Sequence, residues 1–174
     1  DFPNDRATSE TLVTVPEIYR AVSNGKFIES VPHPESKTIT WHYRESVPHV
    51  SYLFSIVAGD LVEFKDQWKD VPLVHYVSKC DADEETVKRS FKNTGDMIGC
   101  FSEKFGTPFP YEKYAQVVVY DFIYGGMENI SATTLMHHTL HDERAHGDTE
   151  SEGLVAHELS HQWWGDLITC RDWS

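Results

Sequence analysis

An α+β fold, with strands early and helices late, is what this sequence predicts, and three observations carry the prediction. Residues 1–79 hold several short runs rich in β-branched and aromatic side chains, with no helical stretch between them. Past Cys80 the apolar residues recur at helical spacing. Near the end, Leu154 to Trp164 forms an apolar run preceded by Thr149-x-x-Glu152, a capping-box pattern, and followed by Gly165, a helix stop.

The first half reads as antiparallel β structure. Thr11 to Val15, Thr38 to Arg44 and Ser51 to Val57 are strand candidates, and Ile39, Trp41 and Tyr43 alternate with polar neighbours as a strand with one buried face does. Asn24-Gly25 fits a type I′ hairpin turn between Ala21-Val22 and Phe27-Ile28, because both residues tolerate positive φ. Successive strands without intervening helices favour an antiparallel sheet or sandwich. No residue of this half belongs to a chemical motif.

From Asp81, Asp83, Glu84 and Glu85 an acidic helix start leads into Val87, Phe91, Ile98, Phe101 and Phe105. This predicts one amphipathic helix of about five or six turns ending at Gly106, weakened in the middle by Gly95 and Gly99. Its aromatic stripe reads as core. Ala115 to Tyr120 and Ile130 to Met136 read as two further strands. The change of pattern places a domain boundary between residues 79 and 80, dividing the chain into 1–79 and 80–174.

Composition narrows the function. A net charge of −13, from 28 acidic and 15 basic residues, disfavours nucleic acid and anionic membrane surfaces as partners. No apolar run is long enough to form a transmembrane helix, and Asp1 to Glu10 is polar rather than signal-like. Cys80, Cys100 and Cys170 are odd in number and widely spaced, which reads as ordinary buried thiols rather than a disulfide framework. His137, His138, His141 and His146 lack zinc-site spacing.

His157-Glu158-Leu159-Ser160-His161 is the stretch that carries chemistry. On a helix, histidines four residues apart point the same way and can reach one Zn²⁺, while Glu158 lies one step round the helix, beside the metal. A metal that acidifies water and a carboxylate that takes its proton make metal-assisted hydrolysis the reading.

Gly125-Gly126-Met127-Glu128-Asn129 followed by His157-Glu158-Leu159-Ser160-His161-Gln162-Trp163 closely resembles the M1 zinc aminopeptidases, gluzincins in the group that includes aminopeptidase N and leukotriene A4 hydrolase. The flanks agree: Pro3 to Ala7, Phe109-Pro110-Tyr111, Leu154 to Ala156 and Trp164 to Thr169 all look like that family, so the resemblance covers nearly the whole chain. It implies that His157 and His161 are zinc ligands and that Glu158 activates the water. It also implies that Glu128 holds the free α-ammonium of a peptide substrate, with Gly125, Gly126, Met127 and Asn129 completing the substrate-binding motif. Gly125 and Gly126 would let the peptide lie against the backbone as an added strand. The implied fold is the C-terminal part of an antiparallel β-saddle domain followed by the first half of a thermolysin-like catalytic domain.

The resemblance implies a third zinc ligand, a glutamate from a following helix, about six residues past Ser174. Asp1 to Ala7 resembles an interior part of the saddle. The chain is therefore expected to be a fragment of a zinc aminopeptidase, inactive alone and self-associating through exposed apolar surface. The alternatives are a folded module without turnover, a thermolysin-type endopeptidase, and a bifunctional enzyme like leukotriene A4 hydrolase.

Overall fold

The computed structural model describes residues 2–173. Alternating apolar and polar side chains build seven strands before the first α-helix: β1 (Arg6–Pro16), β2 (Arg20–Ser23), β3 (Lys26–His33), β4 (Thr38–Val50), β5 (Ile56–Gly59), β6 (Leu61–Trp68) and β7 (Val71–Ser78). β4 is the centre of an antiparallel sheet ordered β1-β4-β3. Its inward residues Trp41 and Tyr43 are buried with Val15 and Ala21, the face that the alternation predicts.

Asn24-Gly25 is not a hairpin turn. β2 pairs with β5 while β3 pairs with β4, so the two residues carry the chain from one sheet to another. The positive φ expected of Gly25 is present, at 78°. A Cβ there would lie 2.0 Å from the Arg44 carbonyl oxygen, so close backbone packing demands glycine. Ser51 to Val57 is likewise not one strand. A short 3₁₀ turn over Ser51–Leu53 drops Leu53 into the core before β5 begins.

The long helix expected after Cys80 is two helices, α1 (Glu84–Phe91) and α2 (Thr94–Phe105). Asp83 caps α1 by accepting the Thr86 N–H at 2.8 Å. The break re-aims α2 so that Gly95 and Gly99 lie on the Trp68 indole, where an added Cβ would approach to 3.2 Å in each case. Those glycines are packing positions rather than weak points. All three cysteines are exposed, correcting the expectation of buried thiols: Cys100 occupies the outer side of α2, and Cys80 lies just past β7 with its sulfur 3.0 Å from Ser78 Oγ.

The remaining elements are β8 (Tyr114–Val119), β9 (Gly126–Met127), β10 (Ala132–Met136) and α3 (Glu152–His161). They complete a five-stranded mixed sheet ordered β6-β7-β8-β10-β9, in which β7 runs parallel to β8, and β8 parallel to β10. This sheet joins strands from both sides of residue 79. Sheet pairing changes at Asp60, where β5, paired with β2, gives way to β6, paired with β7, and the first α-helix follows Cys80. The fold is α+β. None of the described helices is long and apolar enough to cross a membrane.

Val50 and Leu53 pack with Phe109, Ile130, Leu159 and Trp163, so the early strands and α3 share one core. On the neighbouring face, His75 of β7 is buried and stacked on Phe91, ring centroids 4.6 Å apart and nearly coplanar at 6°. Burial pushes its pKa down to about 4. The folded state thus prefers neutral imidazole. Its contribution to stability is full above the unfolded pKa near 6.5 and is lost as pH falls through the folded value. Urea midpoints measured between pH 7 and pH 4 should decline by an amount corresponding to about 3 kcal/mol from this group, and a His75→Phe variant should lack that component.

Candidate active site

α3 and the turn that follows it bury Val155, Leu159 and Trp163, an i, i+4, i+8 stripe facing the core. Two polar side chains lie on this same face, Glu158 and Gln162, both buried. The predicted capping box does not form. α3 begins after Ser151, whose hydroxyl donates instead to the Ser90 carbonyl at 2.5 Å, and Glu152 accepts from Asn93 Nδ2 at 2.5 Å. Both bonds pin the helix start to α1 and the residues linking it to α2.

His157 is exposed and His161 half-buried on the next side of α3. Their Nε2 atoms are 3.3 Å apart, with ring planes crossing at 86°. His161 Nδ1 lies 2.8 Å from the Trp164 carbonyl oxygen, a bond that makes Nδ1 the donor and leaves Nε2 with its lone pair outward. Gly165 backs the ring, since a Cβ there would come within 3.2 Å of Nδ1. Two nitrogens held at zinc–imidazole distance from one tetrahedral centre lie about 3.3 Å apart, so this pair fits zinc as two of its ligands. Among the described residues no group of three His, Cys, Asp or Glu side chains could hold a metal.

Glu158 packs directly on β9. A Cβ on Gly126 would lie 2.5 Å from Glu158 Oε1 and 2.6 Å from its Cδ and Cγ, so this glycine makes room for the carboxylate. Gly125, by contrast, faces Leu154 Cδ1, which an added Cβ would approach to 3.3 Å. Burial first, and then the charge of Glu128, push the Glu158 pKa up to about 7, opposed by His161. Such a carboxyl exchanges protons near neutrality.

β9 pairs with β10 on one side only and is the edge of the sheet, with Met127 opposite Thr134. Met127 packs into the core, and Asn129 is buried with its Oδ1 accepting from Thr134 Oγ1 at 2.8 Å, so both shape the loop from inside. Glu128 is half-buried, and its main-chain carbonyl accepts from Gln162 Nε2 at 3.2 Å.

Asp166 belongs to this site without having stood out in the sequence. It is 1 % exposed, and neither carboxylate oxygen has a hydrogen-bond partner among the described residues. Burial, followed by the charges of Glu128 and Glu158, holds its pKa well above the carboxylate range. The signal was an acid within Trp163-Trp164-Gly165-Asp166-Leu167-Ile168, a run otherwise suited to a core.

Residues 89–174 match the description of the peptidase family M1 domain. The chain belongs to the M1 peptidase family. Aminopeptidase N of Streptomyces lividans is 28% identical over 179 residues, which cover 99% of this chain and 20% of that protein. Aminopeptidase M1-C of Oryza sativa subsp. japonica is 31% identical over 182 residues, covering 100% of this chain and 20% of that protein. Aminopeptidase N of Mus musculus is 28% identical over 180 residues, covering 100% and 19%. The chain thus spans about a fifth of the length of these relatives. Peptidases of this family are generally zinc-dependent.

The contacts of the two glycines separate their roles. Gly126→Ala must displace Glu158 or β9 and should lower stability by about 1–3 kcal/mol, whereas Gly125→Ala meets only a movable leucine tip and should cost less than about 1 kcal/mol. Parallel urea titrations of the two variants read the difference.

Proposed function

We propose that this chain carries part of the active site of a zinc aminopeptidase, and the observation that carries the reading is the convergence of the His157–His161 pair, Glu158 and the Glu128 loop at one sheet edge. The strands before Asp60 are read as part of an antiparallel β-saddle, and the five-stranded sheet with α1 to α3 as the first part of a thermolysin-like catalytic domain. His157 and His161 would hold zinc through Nε2. Bound there, zinc supplies a Lewis acid that makes water acidic near neutral pH.

The chain's own groups account for the rest. Glu158, poised near neutrality, takes a proton from the attacking water and returns one to the departing amine. Glu128 accepts hydrogen bonds from the substrate's α-ammonium, so a peptide lacking a free amino terminus leaves that carboxylate unpaired. The open edge of β9 offers backbone groups to which an extended peptide adds as a strand.

Glu128→Gln should raise KM for peptides with a free N-terminus by about 10- to 100-fold while barely changing hydrolysis of N-acetylated ones. Glu158→Gln should lower kcat by a factor of about 10²–10⁴ with little change in KM. Equal hydrolysis of free and N-acetylated peptides by the natural protein would replace this reading with an endopeptidase.

Two imidazoles without a third protein ligand bind zinc weakly. The 174-residue chain alone is therefore expected to release zinc on dialysis and to show no aminopeptidase turnover when zinc is added. Atomic absorption and a fluorogenic amino-acid amide measure the two outcomes.

A further inference from the structure

Gln162 follows the second histidine of the metal pair and takes no part in the chemistry above. It is fully buried, on the same face of the helix as Glu158. Its amide bridges both ends of the Glu128–Ser131 segment: Nε2 donates to the Glu128 carbonyl at 3.2 Å, and Oε1 accepts the Ser131 N–H at 2.8 Å. Ser131 stands at φ 57°, a left-handed conformation that a side chain rarely adopts. Such an outlier persists only where its surroundings over-determine it. Here its hydroxyl donates to Glu45 at 3.0 Å and accepts the Gly25 N–H at 2.7 Å, and its carbonyl accepts from Lys113 Nζ at 3.0 Å. The far end of the segment is thus anchored to the rest of the fold, and Gln162 ties that anchored backbone to the helix of the histidine pair.

We propose that Gln162 is a positioning residue that fixes the Glu128 carboxylate relative to His157 and His161, and thereby sets the preference for substrates with a free amino terminus. This rests on the reading of Glu128 as the amino-terminus anchor. A helix tied to the loop at two points cannot shift without breaking two hydrogen bonds, one buried and one partly buried, so the spacing between anchor and scissile bond is held.

The test uses the natural protein and its Gln162→Met variant, which keeps the side-chain volume and removes both bonds. Zinc content, thermal midpoint, kinetics on free and N-acetylated forms of one peptide, and calorimetric affinity of the zinc-free protein for the free peptide are measured. The expected result is unchanged zinc content, a roughly tenfold fall in the free-over-acetylated ratio of kcat/KM carried by KM, and weaker binding of the free peptide. The double variant Gln162→Met/Glu128→Gln should discriminate no worse than Glu128→Gln alone, since one residue acts through the other. An equal fall of kcat on both peptides, or multiplicative effects in the double variant, overturns the positioning role while leaving the anchor in place. No discrimination by the natural protein overturns both. Should Gln162→Met fail to fold, Gln162→Asn, one methylene too short to span both partners, takes its place with the same expected outcomes.

Discussion

Ser131 is the point on which the rest of the molecule depends. Its N–H, carbonyl and hydroxyl are held by Gln162, Lys113 and Glu45, three side chains from separate parts of the chain, all buried. Asn24 extends the network, donating through Nδ2 to the Leu53 and Ile130 carbonyls at 3.1 and 2.6 Å and accepting the Ser55 N–H at 2.8 Å. In a low-dielectric interior each of these bonds is strong, and each group left alone would cost about 1–3 kcal/mol. Burial drives the Lys113 pKa down to about 7 and raises that of Glu45, disfavouring the charged form of each, and for Glu45 the hydrogen bonds from Val47 and Ser131 oppose the shift. The early strands, which hold no catalytic motif, thus fix the backbone immediately after Glu128.

The acids around α3 follow a different logic. Burial raises the proton affinity of Glu158 and Asp166, the charge of Glu128 raises it further in both, and Glu158 adds to the effect on Asp166. A structure that places carboxylates together at the cost of solvation is one that gains from a bound cation, because any positive charge there relieves both penalties at once. In the proposed reading, a metal ion beside the imidazole pair and an ammonium beside Glu128 would be two such charges. Asp166, buried with neither oxygen partnered among the described residues, would feel whichever arrives.

Features set by local spacing were legible in the sequence. The i, i+4 relation of His157 and His161, the buried face of β4 and the strands around Val117 and Leu135 all follow from periodicity, which is a property of neighbours along the chain. Features set by distant partners were not. Asn24-Gly25 has the chemistry of a hairpin turn, yet Gly25 is required by the Arg44 backbone and Asn24 by Leu53 and Ile130. Gly95 and Gly99 of α2 answer to Trp68, on a strand of the first half. The composition shift near Cys80 tracks helix onset, whereas β6 and β7 belong with β8 by a parallel pairing that no local pattern announces. Gln162 and Asp166 sit among apolar residues whose burial was clear, and their partners lie across the fold.

The contacts of Gly126 recast how the glycine-rich motif is read. Viewed alone, two adjacent glycines suggest only that a substrate backbone approaches closely. The structure places Glu158, the proposed base, flush against Gly126, and places the Gln162 amide between Glu128 and Ser131. A side chain at 126 would therefore damage the helix motif before it met any peptide. Loss of Gln162 would in turn loosen the glycine motif before it touched the histidines. The two motifs, separated by some thirty residues of chain, are halves of one packed object. Glu158 also faces both ways, lying beside the histidines of its own helix and against the strand edge where a peptide would add. In the proposed reading, that shared wall would give the helix and the strand a common reference for placing a water and a peptide bond.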